Sequence, residues 1–166
     1  MKLNNLLPLL FTFFFTLTGT VNAEESLWDK NNPHFNFDKK PEALVYYSSS
    51  CECCKGWLEH MKKNGFEVKA IAVDDVQPIK EEKKLPPKMA SCHTAVIDGY
   101  IIEGHVPAND IKRLITEKPK DIVGLSVPQM PVGTPGMEMG DRKDNFDVIA
   151  FDKEGNTKVY NSYKDY

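Results

Sequence analysis

Three of the four cysteines of the chain lie within four positions, in Cys51-Glu-Cys-Cys54, and the fourth is Cys92. Cys53 and Cys54 are adjacent, and a disulfide between neighbouring residues closes a strained ring. The spacing therefore allows one Cys51–Cys54 bridge but disfavours a scaffold of two structural disulfides. Without such a scaffold the chain must fold around a hydrophobic core, and its cysteine cluster indicates a chemical site.

The composition is adequate for that core. The chain has 166 residues, of which 41% are hydrophobic and 27% charged, as is ordinary for one globular domain. A formal net charge of −3 offers no basic surface for nucleic acid, so we exclude a nucleic-acid-binding function. The short mixed-charge run at 80–84 is interpreted as a solvated helix face.

The start of the chain has the pattern of a secretory signal peptide. Lys2 precedes a mainly apolar stretch at 6–21, and Val21-Asn-Ala23 resembles a cleavage site. The alternative is an uncleaved anchor, but the apolar stretch is shorter than the roughly 20 residues that a membrane-spanning helix needs. We expect export to the periplasm without stable membrane insertion. The predicted organisation is a signal peptide at 1–23, a polar arm at 24–41 and a folded domain at 42–166.

Hydrophobic periodicity and turn residues predict the order of the secondary-structure elements. The cysteine motif opens a helix, and Asp98-Gly99 between two apolar runs is a strong hairpin signal. The predicted elements are a strand at 43–47, a helix at 52–64, a strand at 66–73, a short helix at 76–84, hairpin strands at 91–98 and 100–106, a helix starting at 107–110, a loop at 124–140 and hairpin strands at 146–151 and 157–163.

A strand–helix–strand unit followed by a hairpin and a helix is the arrangement of thioredoxin, and Cys-x-x-Cys beside such a unit is its redox signature. We therefore predict an α/β, thioredoxin-like fold with a central mixed sheet, flanking helices and a C-terminal β-hairpin. In that fold a cis-proline normally precedes the hairpin strand. Here His93 takes that position and Cys92 precedes it, which favours metal binding over simple disulfide exchange.

The helix start favours reactive thiolates. A thiol at Cys51 faces unpaired N–H groups and the positive end of the helix dipole, and Cys54 lies one turn along the same face. Soft thiolates select Cu(I), zinc or iron–sulfur clusters, and they can bridge two copper ions. A tetrahedral zinc site could use Cys51, Cys54, Cys92 and His93.

Two features favour copper over zinc. The adjacent Cys53–Cys54 pair suits a bridged copper cluster better than one zinc tetrahedron. Neighbouring residues of a regular strand point to opposite faces, so Cys92 and His93 can share a centre only if the strand begins irregularly. We therefore favour Cu(I), with more than one ion allowed, and keep zinc as an alternative.

The chain also offers neutral candidate ligands, which are methionine thioethers and a histidine. Met130, Met137 and Met139 lie in the loop rich in proline and glycine, and thioether is a suitable Cu(I) ligand, although methionine also fills gaps in ordinary cores. His105 follows Gly104 after the hairpin, where a structural, hydrogen-bonded histidine is the alternative interpretation.

Four motifs in this order resemble the CopG-type copper-resistance family. They are Cys51-x-Cys-Cys-x-x-Trp57, Cys92-His93-Thr94, Gly104-His-Val-Pro107 and Val127-Pro-x-Met-Pro-x-Gly-x-Pro-Gly-Met-Glu138. The resemblance runs from about Leu44 to Tyr163 and implies a thioredoxin-like fold, a periplasmic location and a part in copper resistance. It implies copper ligation by Cys51, Cys53, Cys54 and Cys92, with His93, His105 and Met137 as further ligands.

The leading hypothesis is a periplasmic copper-binding protein that sequesters copper, passes it to another periplasmic copper-handling protein, or cycles it between Cu(I) and Cu(II). The alternative is a thiol–disulfide oxidoreductase in which Cys51 attacks and Cys54 resolves. A structural zinc domain is the third possibility.

Overall fold

The computed structural model describes residues 27–29, 35 and 37–166, so the predicted signal peptide and most of the polar arm lie outside the described residues. The strands are β1 (Glu42–Ser48), β2 (Glu67–Val73), β3 (His93–Ile97), β4 (Tyr100–Glu103), β5 (Gly124–Ser126), β6 (Phe146–Phe151) and β7 (Thr157–Tyr163). The helices are α1 (Glu52–Lys63), α2 (Gln77–Glu82) and α3 (Ala108–Glu117), with 3-10 turns at Leu27–Asp29 and Pro87–Met89.

The strands form one seven-stranded sheet in the order β2-β1-β3-β4-β5-β6-β7. The pairs β1–β2 and β4–β5 are parallel, and the other four pairs are antiparallel. The predicted mixed α/β architecture with a C-terminal hairpin is therefore confirmed. Among the described residues no helix is both long and apolar enough to cross a lipid bilayer.

The hairpin β3–β4 fixes the register on which the site depends. Asp98 and Gly99 have φ angles of 48° and 85°, the left-handed pair that a tight two-residue hairpin turn needs. This turn sets Ile97 opposite Tyr100 and, three pairs further on, Thr94 opposite Glu103. The start of β3 thus faces a buried carboxylate at the end of β4.

The sequence prediction of a loop at 124–140 is wrong at its start, because the segment begins with a strand. Gly124–Ser126 is β5, which is buried and pairs with both β4 and β6. A side chain at Gly124 would overlap the carbonyl oxygen of Ile101 and the ring of Phe151. The sequence does not reveal this strand, because three residues are too few to show strand alternation. The close approach of Ile101 and Phe151 explains why residue 124 is glycine.

The core lies between the sheet and the two longer helices. Trp57 and Met61 of α1 and Ile111 and Leu114 of α3 are fully buried in the same apolar cluster. Trp28 from the N-terminal turn joins this cluster, and its Nε1–H donates to the Gly133 carbonyl oxygen at 2.8 Å. At least this part of the arm therefore packs with the domain and holds the loop after β5.

Candidate metal centre

The first half of the site is the start of α1. Cys51 is the N-cap residue, with extended backbone angles, and it forms a disulfide with Cys54 one turn later. Cys54 is buried, whereas Cys51 and the free Cys53 are partly exposed. The sulfur atoms of Cys51 and Cys53 are 3.5 Å apart. Three sulfur atoms therefore meet within the first turn of one helix. The spacing predicts that Cys51 and Cys54 share a helix face, whereas the position of Cys53 beside them is a finding of the structure.

The second half lies where β3 begins and β4 ends. Cys92 is a free thiol whose sulfur lies 3.2 Å from His93 Nδ1 and 3.0 Å from His105 Nε2. Cys92 directly precedes β3, outside its regular alternation, so its side chain and that of His93 can point to one centre. The irregular strand start that a shared centre requires is present.

The hydrogen bonds define which ring nitrogen of His105 carries the proton. His105 Nδ1 lies 2.7 Å from the Pro135 carbonyl oxygen, which can only accept, so Nδ1 carries the proton. In the neutral ring the Nε2 lone pair then faces Cys92, the orientation that a metal-binding imidazole takes. His93 Nε2 is buried without a hydrogen-bond partner in the described part of the chain, and the His93 ring lies 4.5 Å from the Trp57 ring.

Burial keeps both imidazoles neutral. It lowers the pKa of His93 well below the usual value, and the nearby His105 and Lys80 lower it further. Burial also lowers the pKa of His105, partly offset by the bond to the Pro135 carbonyl. Neutral imidazole is the form that ligates metals, so both rings are in the required state at neutral pH.

Cys92 belongs to both halves. The sulfur atoms of Cys51, Cys53, Cys54 and Cys92 lie within 4.8 Å of one another, and so do the ligand atoms of Cys92, His93 and His105. Burial, with a further contribution from Cys53, raises the pKa of Cys92 to about 12. The metal-free thiol is therefore protonated, and an incoming metal ion must displace that proton.

The loop after β5 contacts both halves. Gly136 has a φ angle of 81°, and a Cβ atom there would lie 2.5 Å from the Trp57 backbone nitrogen and 2.7 Å from the Cys53 carbonyl oxygen. The preceding Pro135 carbonyl accepts from His105. Met137 is the next residue and is half-buried, so its backbone lies beside the site, and its thioether stays a predicted ligand.

The other two loop methionines lie further towards solvent. Met130 and Met139 are 51% and 55% exposed, which sets them apart from the buried Met61 and Met89 of the core. Ser91 Oγ donates to the Gln129 carbonyl oxygen at 2.5 Å, so the chain just before Met130 lies beside the segment that carries Cys92.

Two buried charged residues near the site were not predicted to belong to it. The interpretation of 80–84 as a solvated face is wrong for Lys80, which is only 7% exposed and pairs with the fully buried Glu103. Lys80 extends inward because a buried carboxylate is available to neutralise it. The hairpin turn alone could have placed Glu103 opposite Thr94, but no sequence signal indicates Lys80 as its partner.

Comparisons with known proteins agree with the motifs. Residues 89–137 match the family model described as "Protein of unknown function, DUF411". A solved structure titled "Copper resistance protein copG- Form 2" is 42% identical, with a TM-score of 0.72, covering 76% of this chain and 100% of its own. A second, titled "Form 1", is 43% identical, with a TM-score of 0.71 and coverages of 75% and 98%. A comparison with curated protein sequences finds no match.

Proposed function

Because this chain belongs to the family of CopG-type copper resistance proteins, we propose that it binds copper through its cysteine cluster and so contributes to copper resistance. The observation that carries the proposal is the convergence of four sulfur atoms within 4.8 Å, with two neutral imidazoles beside Cys92. A set of soft donors with few hard oxygen ligands is the chemistry that Cu(I) prefers.

The proposed ligands are the four cysteines, with His93, His105 and Met137 completing the coordination sphere. Cys92 is the residue best situated to bridge two ions, since it belongs to both ligand groups. A bridging thiolate is a reason to expect more than one copper ion per chain. Ligand exchange at partly exposed thiolates then offers a route for sequestration or for transfer to another copper-handling protein.

The disulfide sets a condition on binding. Cys51 and Cys54 can ligate copper only after their bond accepts two electrons and two protons from a dithiol reductant, which becomes a disulfide itself. Copper then replaces the thiol protons as it binds. Oxidised and reduced protein should therefore differ in copper capacity.

We also propose a thioredoxin-like fold and a periplasmic location. The parallel β1–α1–β2 unit, the antiparallel β3–β4 hairpin and the following α3 support the fold. The predicted signal peptide and the similarity to copper resistance proteins support export.

Anaerobic titration tests the proposal. Fully reduced protein is titrated with Cu(I), freed of excess ion, and analysed for copper by elemental analysis and for thiolate-to-copper absorption. We expect retained copper with that absorption, and none in a control variant with all four cysteines replaced by serine. Reduced wild-type protein that retains no copper would refute the proposal. Protein purified without added metal but holding zinc would instead favour the structural zinc domain.

The Cys51–Cys54 disulfide supports a second function, thiol–disulfide exchange. A partly exposed Cys51 at a helix N-terminus with a buried Cys54 behind it is the arrangement of an attacking and a resolving thiol. The extra thiol at Cys92 and the imidazole of His93 argue against a simple exchange site. Insulin reduction by metal-free protein distinguishes the two: robust turnover that survives Cys92→Ser would favour the oxidoreductase.

A further inference from the structure

A single buried carboxylate holds the residues on both sides of the Cys92–His93 dipeptide. Glu103 Oε1 accepts from the Ser91 backbone N–H at 2.6 Å, on the near side of the dipeptide. Glu103 Oε2 accepts from the Thr94 hydroxyl at 2.7 Å, on the far side. Glu103 itself is fully buried at the end of β4, so this carboxylate has no competing contact with bulk water.

Lys80 completes the arrangement from α2. Its ammonium group donates to Glu103 Oε1 and, at 2.9 Å, to the Thr94 hydroxyl oxygen. An unpaired carboxylate in this position would cost several kcal/mol, so the lysine is what allows the charge to be buried. The carboxylate thus accepts three hydrogen bonds, and two of its donors belong to residues that flank the dipeptide.

We propose that Glu103 is the positioning residue of Cys92: its buried carboxylate fixes the irregular start of β3 and so sets where the Cys92 thiol meets the other ligands. Two neighbouring hydrogen bonds do not fix the position of Cys92 in this way. The Gly104 N–H to His93 carbonyl bond continues the hairpin ladder on the strand side, and Ser91 Oγ is bonded to the outer loop. Among the residues that the structure describes, only the Glu103 carboxylate accepts hydrogen bonds from residues both before and after Cys92.

This inference rests on the proposed copper site for its functional meaning, but its geometry can be tested without metal. The chain has four cysteines, and two are joined by the disulfide, so a Cys53→Ser background with that bond intact leaves Cys92 as the single free thiol. The rate at which iodoacetamide alkylates this thiol then reports how firmly Cys92 is held in its half-buried position.

Two double variants isolate the hydrogen bonds from the charge. Lys80→Met with Glu103→Gln removes both charges and keeps an oxygen that can accept from Ser91. Lys80→Met with Glu103→Leu removes the charges and the acceptor. Both replace a buried ion pair with neutral side chains of similar size, a change that folded proteins often tolerate. Asp110→Asn is the matched control, because Asp110 is a buried carboxylate bonded to Tyr163 and Asn161 on β7.

We expect the Met/Leu variant to raise the Cys92 alkylation rate by up to about tenfold, because losing a hydrogen bond of ordinary strength makes local opening around the thiol that much more frequent. The Met/Gln variant and Asp110→Asn should stay near the rate of the background protein. Equal rates in the two double variants, or an equal rise in Asp110→Asn, would overturn the proposal. If the Met/Leu variant does not fold, Thr94→Val replaces it, and an unchanged rate there would also overturn the proposal.

Copper affinity of the same variants, with all other cysteines present and reduced, provides the second measurement. The Met/Leu variant should bind Cu(I) about 10- to 100-fold more weakly than the Met/Gln variant, with altered thiolate-to-copper absorption. Equal affinities and spectra would contradict the role of Glu103 while copper binding itself stands. A wild-type protein that binds no copper refutes the proposed function, and the alkylation rates still decide the role of Glu103.

Discussion

The two halves of the cysteine site differ in how the chain assembles them. The α1 half takes three cysteines from four consecutive positions, is partly exposed, and contains a disulfide. The β3 half takes Cys92, His93 and His105 from both sides of a hairpin, and it is mostly buried, with neutral imidazoles. We therefore expect oxidation to control the copper capacity of the first half, and packing and protonation to control that of the second, with Cys92 common to both.

Removing the shared thiol should have the largest effect. Cys92→Ser is expected to lower Cu(I) affinity by more than about 100-fold, because losing a ligand should exceed the cost of losing an outer-shell partner. Cys53→Ser makes the same chemical change in the α1 half alone and should cost less. Anaerobic competition with a Cu(I)-chelating dye measures both affinities. Equal losses in the two variants would show that Cys92 does not couple the halves.

Oxidation should have the next largest effect, and only through the α1 half. With the disulfide intact, two of the four proposed sulfur ligands are unavailable, so elemental analysis should find less copper per chain without a reductant. In Cys51→Ser with Cys54→Ser, the copper content should be the same with and without reductant. A reductant-dependent copper content in that double variant would mean that the β3 half is also redox-sensitive.

The loop after β5 should tolerate no side chain at Gly136, where it lies closest to α1. Gly136→Ala combines a left-handed backbone with overlap against Trp57 and Cys53, so we expect about 2 to 4 kcal/mol of lost stability. Gly140→Ala is the matched control, because Gly140 also has a positive φ angle but open space around it, and it should cost about 1 kcal/mol. Urea unfolding measures both, and equal losses would mean that the loop packs loosely on α1.

The same contrast explains what could be predicted from the sequence. The Cys51–Cys54 pair of the α1 half was predictable because helix geometry relates residues three apart, and the β3–β4 hairpin because Asp98-Gly99 specifies its turn. The approach of the Cys53 sulfur to that of Cys51 was not predictable in this way, since helix geometry turns Cys53 away from Cys54. β5 was missed because its burial depends on strands that are distant in sequence. The burial of Lys80 was missed for the same reason, since its partner Glu103 is 23 positions away. Copper ligation by the four cysteines, and by His93, His105 and Met137, stays a prediction.

Acid should distinguish the halves by a smaller, graded effect on stability. Below the ordinary histidine pKa of about 6.5, His93 and His105 gain protons more readily in the unfolded chain than in the fold, where burial lowers their pKa. The unfolded state then binds more protons, so the free energy of unfolding decreases as the pH is lowered, by up to about 1.4 kcal/mol per pH unit for each histidine.

Metal-free urea unfolding between about pH 5.5 and 7.5, one unit either side of that pKa, measures the slope. Glu103 and Asp110 bind protons more readily in the fold, because burial raises their pKa, and they oppose the effect at lower pH. His93→Gln should reduce the slope. Cys51→Ser with Cys54→Ser should lower stability at every pH and leave the slope unchanged. If His93→Gln leaves the slope at the wild-type value, protonation does not control the β3 half, and packing alone distinguishes it from the α1 half.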